Sequence, residues 1–210
     1  MPDAAHLATF ALICLGMVLT PGPNMAYLVS RTVVQGRAAG LVSLTGVAAG
    51  FVVYLLCAAF GITALLVAVP FAYDALRLAG AAYLFFLAWQ AVRPGGRSPF
   101  DTRPLPPDGA GRLVATGFLT SVLNPKIAVM YLSLLPQFID PAAGGVLTQS
   151  LALGLLQIAV SLTVNAVIVL SAGSVAAFLK GRPLWLLAQR WFMGTVLAGL
   201  ALRAATDARR

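Results

Sequence analysis

The chain of 210 residues has no glutamate, six aspartates, one histidine and two cysteines. Each shortage removes a class of chemistry. His6 alone cannot assemble a metal cluster. Cys14 and Cys57 lack the C-x-x-C spacing of a zinc or redox site, and both fall in apolar segments, so they read as small buried hydrophobes. Every aspartate lies in or near a loop, with Asp74 and Asp140 closest to apolar blocks, which leaves those blocks without carboxylate pairs for acid–base work or metal ligation. No nucleophile–base pair of a membrane-embedded hydrolase can be picked out. The expectation is a non-enzyme with no catalytic residues, no metal and no cofactor.

Charge as a whole is also scarce. Only 10% of residues are charged while 60% are hydrophobic, against roughly a quarter charged in a soluble domain. This composition fits a chain whose solvent is the lipid bilayer. The net charge of +8 sits in short loops between apolar blocks, which argues for membrane orientation and against a nucleic-acid partner. The N-terminal run lacks a basic leader, carries Asp3 instead, and continues past a Pro-Gly-Pro, so it reads as a retained first span.

Six apolar stretches are long enough to be spans, at about 5–30, 40–69, 75–92, 112–138, 145–178 and 184–203, given the ~20 residues a crossing needs. Arg31 and Arg37 follow the first, Arg93, Arg97, Arg103 and Arg112 follow the third, and Lys180, Arg182 and Arg190 follow the fifth. The opposite side holds Arg77, Arg203, Arg209 and Arg210. By the positive-inside rule the richer loops are cytoplasmic and both termini face outward. Trp89, Trp185 and Trp191 lie near span ends as interfacial anchors.

Two spans are interrupted. "VLTPGPNMAYL" (18–28) and "VLNPKIAVMYL" (122–132) align at a shift of 104 residues with Val, Leu, Pro, Tyr and Leu matched. The same shift lays Gly40 over Gly144 and Gly50 over Gly154. Three spans per half is an odd number, so the second half enters the membrane the other way up. The expected fold is all-α and integral to the membrane, six transmembrane helices in two inverted three-helix repeats. Its divisions are a first repeat at 1–93, a Pro- and Gly-rich cytoplasmic linker at 94–111, a second repeat at 112–204 and a tail at 205–210.

The breaks have a readable chemistry. Thr20-Pro21 and Asn124-Pro125 each set a good N-cap before a proline, so new half-helices are expected to begin at Pro21 and Pro125. Gly22 supplies backbone freedom and Pro23 removes a further donor. Each new N-terminus presents N–H groups and about half a positive charge, so two that converge suit an anion. Lys126 sits mid-span, too far from either end to snorkel, with no mid-span acid to neutralise it. It either faces a substrate carboxylate or bonds backbone carbonyls. Asn24 sits in the turn after the first break. Tyr27 and Tyr131 follow each break and either line a cavity or pack. Gln157, Ser161 and Asn165 form one stripe at i, i+4 and i+8, as interhelical glue or cavity lining. Gly36, Gly40, Gly46 and Gly50 form small-xxx-small pairs suited to close helix packing.

"TPGPN", "GVAAG", "LAGAAYLFFLAW" and "LNPKIAVMYLSLLPQF", in that order over nearly the whole chain, resemble the LysE/RhtB family of amino-acid exporters. The resemblance implies a bacterial inner-membrane carrier, commonly of homoserine, threonine or lysine, driven by the proton gradient. By motif it assigns Pro21, Gly22, Pro23, Asn24, Asn124, Pro125 and Lys126 to the substrate site, with Thr20 beside them. Some members carry an acid just after the glycine pair of the second span. Phe51 stands there in this chain, which implies a neutral or apolar amino acid. The expected partners are that amino acid and the lipid bilayer, and a homo-oligomer is compatible with the sequence.

Two other readings share a three-plus-three architecture. A thiol–disulfide electron carrier needs cysteines at repeat-equivalent positions, but Cys14 maps to Phe118 and Cys57 to Ser161. A metal-ion exporter needs intramembrane histidine or carboxylate ligands, which the spans lack.

Overall fold

The computed structural model describes residues 4–20, 22–68, 107–179 and 183–206, with isolated positions between 78 and 93. The described segments are helical. Helices α1 (Ala4–Leu19) and α2 (Pro23–Gln35) form a pair bent by 55°. Helix α3 (Arg37–Ala68) follows, then α4 (Ala110–Val122) and α5 (Pro125–Val129). A π-helical turn (Met130–Leu134) and a 3-10 turn (Leu135–Phe138) extend α5, and the α4–α5 assembly is bent by 49°. Helices α6 (Val146–Leu179) and α7 (Pro183–Thr206) complete the chain.

Within α3, Arg37–Gly61 is long and apolar enough to cross a bilayer, as is Val146–Ser174 within α6, each with a mean hydropathy of 2.2. Each bent pair meets the same test when taken as one span. The protein is therefore a multi-pass membrane protein. Four of the six expected spans coincide with these elements to within a few residues. Of the third span only scattered residues are described, most of the 94–111 linker lies outside the described residues, and the sixth coincides with α7.

Local chemistry explains where helices stop. Pro23 sits in the first turn of α2, after Gly22 in an extended conformation (φ −165°) that any residue adopts. The first break therefore starts its new helix at Pro23 and not at Pro21, which itself lies outside the described residues. Helix α2 ends at Gly36, whose φ of +88° favours glycine and whose N–H bonds Thr32 O at 2.9 Å. Helix α5 begins as expected, with the Asn124 side chain accepting from the Lys126 N–H at 3.0 Å. Further on, Pro136 offers no N–H to the carbonyl four residues earlier, and around it the helix changes from π to 3-10 winding.

The helices pack through glycines. The most extensive helix contact joins α3 to α4. A Cβ on Gly46 would strike the backbone carbonyl of Val114, and one on Gly117 the carbonyl of Ser43. Gly50 abuts Ser121, and Gly154 of α6 abuts Leu55. Backbones this close gain dispersion and exclude lipid, which replaces the hydrophobic effect as the cohesive force inside a bilayer. Gly40 is likewise packed, against Thr32 and Val169, whereas Gly144 lies in a turn with φ +70°. The alignment of those two glycines does not carry over to their structural roles.

Aromatic and ionic contacts close the core and one end. Phe10 and Phe138 meet at 5.0 Å between ring centroids, and Tyr54 stacks on Tyr131 at 5.7 Å. Arg31 of α2 pairs with Asp108 at 2.7 Å, while Arg112 of α4 reaches the same carboxylate at 3.2 Å. The end of α2 and the start of α4 therefore lie at the same end of the bundle. Large apolar side chains such as Leu12, Phe60, Trp89 and Trp191 point outward, as a lipid-facing surface requires. A Gly46→Val substitution forces α3 away from α4 and is expected to cost about 3 kcal/mol of stability. Thermal unfolding in detergent micelles reads that loss, with the exposed Gly61→Ala as the unaffected control.

Candidate functional site

The two helix breaks meet at one buried cavity. Its polar wall consists of Asn24, Lys126, Gln157, Ser161 and Asn165. Its apolar wall includes Met17, Met25, Phe51, Ile127 and Met130, with Cys14 and Val18 beside them. The free space at its centre is about 20 Å³, on the order of a single water site. The helices pack tightly around the site.

Lys126 organises it. The side chain leaves the second position of α5 and crosses to the first break, where Nζ donates to Thr20 O at 2.7 Å and Met17 O at 3.0 Å. These are carbonyls at the C-terminal end of α1, where the helix has no further N–H to offer. A cation beside the partial negative charge of a helix C-terminus is well placed. Of the two roles expected for Lys126, carbonyl bonding is thus realised, yet the residue also lines the cavity. An ammonium has three protons, and these two contacts engage two of them.

Gly22 owes its place to this lysine. A Cβ there would sit 3.1 Å from Lys126 Nζ and 3.2 Å from Cε. Its extended φ needs no glycine, so the expected gain in backbone freedom is replaced by a requirement for space. Thr20 also departs from expectation. Its hydroxyl donates back to Gly16 O at 2.8 Å, so it closes α1 and does not cap α2, whose N-terminus has no side-chain cap.

Along α6 the expected stripe is both glue and lining. The fully buried Tyr131 hydroxyl donates to Gln157 Oε1, Gln157 Nε2 donates to Ser161 Oγ at 2.8 Å, and Asn165 Nδ2 donates to Ser161 O at 2.8 Å. Tyr131 therefore braces the cavity wall from behind. Tyr27 is elsewhere: its hydroxyl donates to Leu113 O at 2.6 Å, and Arg31 lies 6.0 Å above its ring, so it packs α2 on α4. Pro21 lies outside the described residues. Asn124 and Pro125 shape the second break without lining the cavity.

Several site residues escape sequence reasoning. The three methionines occur in apolar helices and carry no local signal. Ser121, which accepts from Asn24 Nδ2 at 3.4 Å, is one buried serine among several. Its position three residues before the second break is the only hint. Cys14 is buried in the cavity wall while Cys57 is exposed, and the two are unpaired.

A multi-pass helical protein with a buried cavity at paired helix breaks has the build of a membrane carrier. Residues 15–208 match the model of the LysE type translocator family, and the chain belongs to that family. It is a transporter and not an enzyme. It is 26% identical over 208 residues to a leucine efflux protein of Enterobacter sp. (strain 638), covering 94% of either chain. A homoserine/homoserine lactone efflux protein of Salmonella typhimurium is 29% identical over 177 residues, 84% of this chain and 83% of that one. An uncharacterized membrane protein of Pseudomonas aeruginosa is 31% identical over 140 residues, 63% of each chain. No solved structure matches the chain.

Gly22→Ala is expected to press on the Lys126 side chain and destabilise the protein by about 1 kcal/mol. In a Lys126→Ala background the same change should be nearly neutral. A double-mutant cycle on thermal unfolding measures the difference; equal effects in both backgrounds would show that Gly22 does not serve Lys126.

Proposed function

We propose that this protein exports an amino acid with an uncharged, largely apolar side chain from the bacterial cytoplasm by alternating access. The observation that carries the reading is the Lys126 bridge. A residue of the second break is bonded to the first across a cavity, so the site belongs to both halves of the chain. Relatives named for leucine and homoserine efflux point to uncharged side chains, the first of them apolar. Phe51 and the methionines supply an apolar, adaptable wall for a side chain, and no acid among the lining residues selects a cationic one.

The architecture that serves this function is six spans in two inverted repeats, 1–93 and 112–204, joined by the 94–111 linker and followed by the 205–210 tail. Both termini face outward in the inner membrane. The substrate carboxylate takes the remaining proton of Lys126 and the leading N–H groups of α2 around Asn24 and Met25. Thr20, Pro21, Gly22, Pro23, Asn124 and Pro125 hold those groups in place. Because the closed cavity has room for about one water, loading requires the two halves to part, and the proton gradient drives the cycle.

Overproduction of the chain is expected to lower intracellular leucine and raise it in the medium, at unchanged growth. Lys126→Met keeps the length of the side chain but removes its charge, and should reduce efflux by about 100-fold or more with normal membrane insertion. Efflux by Lys126→Met at the parental rate would overturn the site. No change in leucine or any other amino acid on overproduction would overturn the substrate class.

A further inference from the structure

We infer that Asn24 is the receptor for the substrate ammonium, and that Ser121 sets its direction. This deepens the export reading above and rests on it. An α-amino acid brings a cation as well as an anion, and the cation also needs acceptors when it leaves water. The backbone carbonyls freed at the first break are the obvious candidates, because broken helices commonly offer theirs to cations. In this protein Lys126 Nζ already occupies Met17 O and Thr20 O.

Two other side-chain oxygens of the cavity are engaged as well. Gln157 Oε1 accepts from Tyr131, and Ser161 Oγ accepts from Gln157. No carboxylate lines the site among the described residues. Asn24 differs from both Gln157 and Ser161. It lines the cavity with only 5% of its surface exposed, and its Oδ1 is enclosed without a hydrogen-bond partner. A buried amide oxygen with no donor is costly, and native structures keep few of them without a ligand or water to satisfy them.

The other end of the amide is engaged. Asn24 Nδ2 faces Ser121 Oγ at 3.4 Å, which leaves Oδ1 as the free end. Ser121 is fully buried and wedged against α3, where a Cβ on Gly50 would lie 2.5 Å from its own Cβ. Chain position adds a geometric reason. Asn24 stands in the first turn of α2, among the leading N–H groups assigned above to the carboxylate. The carboxylate and ammonium of an α-amino acid are separated by one carbon, and one residue can therefore read both.

The test uses the full chain in liposomes loaded with leucine, with two analogues as competitors. One is 3-methylbutylamine, which keeps the ammonium and lacks the carboxylate; the other is 4-methylpentanoate, which keeps the carboxylate and lacks the ammonium. In Asn24→Leu the inhibition constant of the amine is expected to rise about tenfold or more, while that of the acid stays within about twofold. Asn24→Asp retains the acceptor and should keep the amine within about threefold of the parent. Ser121→Ala lets the amide turn and should weaken the amine about threefold without touching the acid; it carries the test if Asn24→Leu does not fold. Leucine efflux with unchanged amine inhibition in Asn24→Leu, or in Ser121→Ala where that variant must stand in, overturns this role alone. Parental liposomes that release no leucine overturn the export reading, and this role with it.

Discussion

The bond from Lys126 to the carbonyls of Met17 and Thr20 is the constraint on which the rest of the site depends. A lysine in the middle of a span is among the most costly residues to place in a bilayer. It sits near the N-terminus of its own helix, where the dipole disfavours a cation, and is offset by the C-terminus of α1, where the dipole favours one. Neither break makes sense alone. The first leaves carbonyls without donors, the second leaves an ammonium without an acceptor, and bringing them together satisfies both. Gly22 is part of the same arrangement, because a Cβ there would press on the end of the lysine side chain.

Around that bridge, packing and polarity serve each other. The glycine contacts between α3 and α4 bring backbones close enough for a Ser121 hydroxyl to sit against Gly50 and meet Asn24 across the interface. Tyr131, fully buried and stacked by Tyr54, commits Gln157 and leaves Ser161 and Asn165 on the cavity wall. The Asp108 carboxylate, shared by Arg31 and Arg112, fastens the end of α2 to the start of α4. A site built this way moves when helices move, since Asn24, Lys126 and Gln157 are each held by a neighbour on a different helix. That is the mechanical property a carrier needs.

Much of this is legible in the sequence, for a local reason. Proline lacks an N–H and fixes its own φ, so the interruptions at residues 20–24 and 124–126 announce themselves. Five of the six spans read from hydropathy fall within a few residues of helices described. Asn124 caps α5 as its type and position suggest. Thr20 does not cap α2, because a threonine hydroxyl can equally bond the carbonyl four residues back, and α1 extends far enough to offer Gly16 O. The first half-helix accordingly begins two residues later than the proline pattern suggests. Tyr27 and Tyr131 occupy matching places in the two motifs yet bond unrelated partners, since matched local sequence does not ensure matched surroundings.

Composition and local pattern settle the solvent, several of the spans, the two breaks and the presence of a cation stranded mid-span. Those follow from hydropathy, proline geometry and the cost of charge in lipid, all of which act within a few residues. Only the tertiary structure decided what the cation bonds, which asparagine oxygen is left unpaired and which apolar side chains wall the cavity. Lys126 and its carbonyl partners are more than 100 residues apart in the chain. A choice among acceptors that are all available locally is made by which helices pack, and no short stretch of sequence contains that information.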